Sequence, residues 1–155
     1  CPCCRESDET PTHVLRCSQN PAHLTSVKQF KQQMSPEEQH PVYQILKAGI
    51  LAWIDGCEDY QPQVSEFPTK FHDSIRVASR DQKDIGWHNA LKGYLSVEWR
   101  TMAACDMYGS SQQQTGQGFQ YIQRILQALH KMTQAKWQGR NQTLHNGKDS
   151  DIQRI

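Results

Sequence analysis

Four cysteines and a histidine crowd the first seventeen residues, CPCCRESDETPTHVLRC, in the order Cys1-x2-Cys4-x8-His13-x3-Cys17. A stretch this short and polar cannot bury a core of its own, so a ligand shared by those side chains must supply most of its folding energy. A Cys-x2-Cys pair on a tight turn presents two thiolates to one ion. His13 and Cys17 stand four apart and can share one helical face. Together they form a closed Cys3His set, the tetrahedral arrangement of a structural zinc site with no position open for catalysis. Asp8, Glu9 and Thr10 ahead of Pro11 give the helix that would carry His13 and Cys17 a polar N-cap and a first-position proline. Two side chains compete with this set. Cys3 is a surplus thiol that can substitute for Cys4 in another register. His23 is the weaker competitor, expected on the exposed side of the next helix.

The 155 residues suit one ordinary domain, or a small module attached to one. The chain is 36% hydrophobic, enough for a core, yet its mean hydropathy of −0.79 is very polar, with glutamine recurring throughout. A formal charge of +1 argues against nucleic-acid binding by sheer charge. The distribution is uneven, however. No acidic residue lies between Asp106 and Asp149, whereas Arg124, Lys131, Lys136, Arg140 and Lys148 all do, so the C-terminal third is basic. No apolar run reaches membrane-spanning length and no signal-peptide pattern is present, which leads to the expectation of an intracellular, cytoplasmic or nuclear protein without a membrane partner. In that setting the cysteine cluster reads as a metal site rather than a disulfide framework. Cys57 and Cys105 stand alone and are expected to be buried thiols.

Beyond the cluster every pattern is helical, and no segment alternates as a strand would. Asn20-Pro21 opens a helix with Leu24, Val27, Phe30 and Met34 on one stripe. Ser35-Pro36-Glu37-Glu38 is a further cap signal. After Pro41 comes the strongest apolar face, Val42, Ile45, Leu46, Ile50, Trp53 and Ile54, ending at Gly56. Residues 57–67 read as a loop, followed by a shorter helix with Phe71, Ile75 and Ala78. Ser79-Arg80-Asp81-Gln82 reads as a capping box opening a segment with Ile85, Trp87, Leu91 and Leu95. Ser96 caps a helix carrying Trp99, Met102 and Ala103. The last helix, from about Phe119 to Leu144, carries Ile122, Ile125, Leu126, Leu129 and Met132. The fold class expected is mainly α: a zinc knuckle at 1–20, a helical bundle at 21–108, a Gly/Ser/Gln linker at 109–118, a long basic helix at 119–147 and a tail at 148–155.

The opening segment resembles the zinc-binding region found downstream of the polymerase in reverse-transcriptase open reading frames of non-LTR retroelements. Cys1, Cys4, His13 and Cys17 match the ligand positions of that family, with Glu9 and Thr10 ahead of the histidine. The blocks DQKDIGWHNALKGYLSVEW and KWQGRNQTLHNG are similar to segments that follow such a knuckle in retroelement-derived proteins of unicellular algae. Cys3, where the family is usually polar, and Asn146, between His145 and Gly147, depart from the pattern. The resemblance implies a piece of a longer polyprotein that binds element RNA or target DNA. The chain contains no Tyr-x-Asp-Asp polymerase signature, so no polymerase site is expected within it.

For nucleic acid the candidate contacts are Arg124, Lys131, Lys136 and Arg140 on the acid-free last helix, with Trp137 and Tyr121 available to stack on unpaired bases. The competing reading is a solvated helix face with its aromatics turned inward. A catalytic alternative is Arg140-Asn141-x3-His145, which resembles the R-N-x3-H signature of HEPN-type ribonucleases. There His145 would act as general acid or base on a ribose hydroxyl, Arg140 would stabilise the phosphorane, and a dimer partner would supply a second copy. Gly139 and Asn146-Gly147 alternatively mark a helix end, where Arg and His meet free carbonyls. A third reading is a zinc-stabilised protein-interaction module. Trp53, Trp87 and Trp99 are expected in the core. His72, His88 and His130 have no partner at ligand spacing, and no small-molecule site is indicated.

Overall fold

The structure, a computed structural model, describes residues 1–6, 8–34, 40–107 and 114–152, and side chains within 1–6, 8–34, 40–104 and 119–146. Seven α-helices and no strand occur among the described residues, and none of these helices is long and apolar enough to cross a membrane. Helix α1, Pro11–Arg16, starts as its sequence dictates: the Thr10 hydroxyl accepts from the His13 N–H and Pro11 occupies the first turn.

Helix α2, His23–Gln33, buries Ser26 and Phe30, with Met34 just beyond its end. Leu24, assigned to the buried stripe, is instead 80% exposed. The inward face follows 23, 26, 27, 30 and 34, a helical stripe that begins with polar His23 and Ser26. Apolar spacing alone therefore set the stripe about a quarter-turn off at its start. The cap signal at Ser35–Glu38 lies outside the described residues.

Helix α3, Pro41–Ile54, buries Val42, Ile45, Leu46, Ile50, Trp53 and Ile54 as expected, and the His40 ring caps it by accepting from the Val42 N–H. It closes through Gly56 at φ 102°, with the Gly56 and Cys57 amides returning to the Trp53 and Ala52 carbonyls. That turn leaves Cys57 exposed rather than buried. Gly49 admits the Trp87 ring against the α3 backbone, where a Cβ would stand only 2.2 Å from the indole.

Helix α4, His72–Ile85, runs unbroken through the residues read as a capping box. Ile75, Ala78, Ser79 and Gln82 all point inward, so Ser79 and Gln82 belong to its buried face and start no helix. The Gln82 Oε1 accepts from the Ser96 N–H at 3.0 Å and the Trp99 Nε1–H at 3.2 Å, while its Nε2 donates to the Tyr94 carbonyl. This amide fixes the connection that holds the one-turn α5, Trp87–Ala90, between Gly86 and Gly93, both at positive φ. Ser96 then caps α6, Val97–Met107, whose Trp99, Met102 and Ala103 are buried as expected.

Helix α7, Gln114–Ile152, is longer at both ends than its sequence signals indicated. It begins inside the stretch assigned to a linker and continues through 148–152, assigned to the tail. Its interior has no proline and is rich in glutamine, a good helix former, which outweighs the scattered glycines. Residues 108–113 lie outside the description. Ile125, Ala128, Leu129 and Met132 form its buried stripe. The helix packs on α6 and α2 and also on α1, so the cysteine-rich segment is built into the helical body.

Candidate metal centre

The donor atoms of Cys1, Cys4, His13 and Cys17 all lie within 4.8 Å of one another. A tetrahedral zinc with sulfurs at about 2.3 Å requires sulfur–sulfur edges of about 3.8 Å, so the four need only small adjustments. Cys4 Sγ already stands 3.3 Å from His13 Nε2. Two local devices bring them together. At the first turn the Arg5 N–H donates to the Cys1 carbonyl, and Arg5 takes φ 60°, a left-handed conformation unusual for a non-glycine residue, which closes the turn that carries Cys1 and Cys4. Helix α1 then aligns His13 with Cys17, whose own N–H returns to the His13 carbonyl at 2.7 Å. Burial pushes the Cys17 thiol up, while the Gln19 amide favours its thiolate. With three sulfurs and one imidazole the four donors fill a tetrahedral set and leave no position open, which fits a structural divalent metal rather than a catalytic one.

Neither competing ligand enters the set. Cys3 turns away, its Sγ 3.8 Å from the Thr143 hydroxyl on α7. His23 is half-buried rather than exposed and meets Lys136 Nζ through Nδ1 at 2.7 Å. Burial first, then the neighbouring Lys136, hold its pKa below the usual imidazole range.

The cluster is locked to the helical body at three points. Arg16 lies over the Trp53 ring at 4.0 Å, donates to the Trp53 carbonyl and pairs with Glu58, which also accepts from the Trp53 indole. Glu9 pairs with Arg140 of α7, and this contact holds the Glu9 carboxyl below the usual range. The Asn20 amide donates to the Lys136 carbonyl at 2.8 Å. There α7 comes so close that a Cβ on Gly139 would stand 2.5 Å from Asn20 Oδ1 and 2.8 Å from Ala22 Cβ. Gly139 is therefore a mid-helix contact point and ends no helix.

The four cations assigned to nucleic acid divide. Lys136 is wholly buried on the stripe that continues from Leu129 and Met132, so it faces no phosphate. Arg140 is committed to Glu9 and to the Asn141 side chain. Arg124 and Lys131 stay exposed and line one cleft of about 350 Å³ with Gln33, Met34, Tyr43, Gln127 and Ala128. Trp137 is 37% exposed, whereas Tyr121 packs edge-on to Tyr43. Of the ribonuclease-like trio, Arg140 is engaged as above, and Asn141 and His145 are exposed on α7. The seat of Lys136 was open to the periodicity of 125, 129, 132 and 136. The ion pairs of Arg16 and Glu9 carry no sequence signal, because their partners are 42 and 131 residues away. Comparison with protein-family models, with curated proteins and with solved structures gave no match.

Proposed function

We propose that the chain is a zinc-stapled helical module of a retroelement-derived, reverse-transcriptase-associated protein, acting inside the cell by binding RNA or DNA and having no catalytic site of its own. The observation that carries the reading is the convergence of Cys1, Cys4, His13 and Cys17 within 4.8 Å, the same four positions that carry the family resemblance. Zinc is favoured over other divalent ions by a soft, tetrahedral, closed donor set. Its role is mechanical: it joins the first turn to α1, and through Glu9, Arg16 and Asn20 it fixes the cluster on α3 and α7.

The contact surface for nucleic acid is narrower than the acid-free helix suggested. Arg124 and Lys131 support it from the cleft between α2, α3 and α7, with three glutamines in or beside the cleft to meet bases and sugars. Binding of a single-stranded oligonucleotide, titrated across a salt series, tests this. Replacing Arg124 or Lys131 with Ala should each lower the log–log salt slope by about 0.7. Replacing Asn141 or His145 should leave binding unchanged and reveal no RNA cleavage to lose. Binding that is absent at low ionic strength, or insensitive to salt, overturns the nucleic-acid reading and leaves a zinc-stabilised interaction module. Cleavage of RNA that disappears with His145→Ala would favour the ribonuclease instead.

A further inference from the structure

Lys136 is 0% exposed, and no other lysine or arginine among the described residues is buried. An ammonium cut off from water is strongly destabilising unless a negative group answers it. Its amine meets the His23 imidazole at 2.7 Å, a neutral partner. Of the two acidic groups that act on it, Asp55 is exposed and therefore screened by solvent, while the other is Cys17, whose thiol is kept protonated by burial until a metal takes it as thiolate. The backbone places Lys136 at the cluster's edge: Asn20 donates its side-chain amide to the Lys136 carbonyl and its N–H to the Cys17 carbonyl.

The donor set supplies a reason for the buried amine. Three thiolates and a neutral imidazole around a divalent ion leave one negative charge in excess. The other cations near the cluster are exposed or committed elsewhere. Arg5 is exposed, Arg16 is held by Glu58 and the Trp53 ring, and Arg140 is held by Glu9. We propose that Lys136 is the internal counter-charge of the metal centre, so that the loaded cluster and the buried ammonium neutralise one another across the seam between the cysteine-rich segment and α7. The inference rests on the reading of the cluster as a zinc site. It makes Lys136 a positioning and charge-balancing residue, with opposite effects in two states. Without metal the buried amine is a liability; with metal it holds α7 against the cluster.

The test uses the 155-residue chain with Lys136→Met, and Lys136→Gln as a second neutral replacement. Zinc affinity is measured by competition with a chromophoric chelator, site geometry by the absorption of the cobalt-substituted protein, and metal-free stability by urea denaturation. The parent should bind one zinc. Both variants should retain the tetrahedral cobalt spectrum, bind zinc about tenfold more weakly, and be at least as stable as the parent without metal. Asp55→Asn should leave zinc affinity within about twofold, since an exposed carboxylate is screened. Zinc binding as tight as the parent's in both Lys136 variants would overturn the counter-charge. So would joint loss of affinity and metal-free stability, which is the signature of packing alone. A parent that takes up no stoichiometric zinc would instead sink the metal reading beneath it.

Discussion

Gln82 and Lys136 occupy buried positions that a periodic apolar pattern would assign to hydrocarbon, and each is tolerated for a different reason. The Gln82 amide is satisfied on both ends. Gln82→Leu would strand the Ser96 N–H and the Trp99 indole N–H, and should cost about 2–4 kcal/mol in urea denaturation. A loss below about 1 kcal/mol would contradict the network. Lys136 is different, because burial drives its pKa down from 10.5 to about 8. In the metal-free protein the unfolded chain therefore holds the extra proton between those two values. The penalty is complete below pH 8 and fades as pH rises toward 10.5. Metal-free Lys136→Met should accordingly exceed the parent in stability by on the order of 3 kcal/mol near neutrality, and the gap should close as pH rises through that window. A gap that does not change with pH would contradict it. The misreading of Ser79 and Gln82 has a plain cause. A spacing of three both closes a capping box and lines one face of a helix, and only the neighbours in space decide between the two.

At the scale of elements, α7 makes the same point about glycine. A glycine near the end of an apolar pattern resembles a C-cap, yet Gly139 stands well inside a helix that runs to Ile152. What requires it is the approach of the Asn20–Ala22 turn. If the site were open, Gly139→Ala would stabilise the helix by about 1 kcal/mol. With Asn20 Oδ1 and Ala22 in the way, the substitution should instead lower Tm and loosen zinc, by about 1–3 kcal/mol of overpacking. A raised Tm would mean that the two segments do not meet. The helices α1, α3 and α6 were legible because each carried two agreeing signals: a polar cap and a proline for α1, a proline and an apolar stripe for α3, and a serine cap and an apolar stripe for α6. The first turn of α2 was not, because its inward residues, His23 and Ser26, are polar.

For the whole molecule, the four residues that could hold a metal were legible in sequence because they lie within seventeen residues and one short helix sets half their geometry. How the cluster joins the body could not, since Glu9–Arg140, Asn20–Lys136 and Cys3–Thr143 span more than a hundred residues. The Glu9 contact engages Arg140 and burial withdraws Lys136, so that of the four cations proposed for nucleic acid Arg124 and Lys131 are the exposed ones. Because α7 packs on α1, α2 and α6, chelation should loosen more than the first seventeen residues. Removing the metal should lower the Tm of the whole cooperative transition, followed by circular dichroism at a helix wavelength, instead of leaving an unchanged helical melt. The most direct measurement is the zinc content of the purified 155-residue chain, set beside that of Cys17→Ser. One zinc per chain in the parent, falling to a small fraction of that in Cys17→Ser, is the result expected of a Cys1–Cys4–His13–Cys17 site. A parent without stoichiometric metal, or a Cys17→Ser chain that keeps its zinc through the same purification, would contradict it.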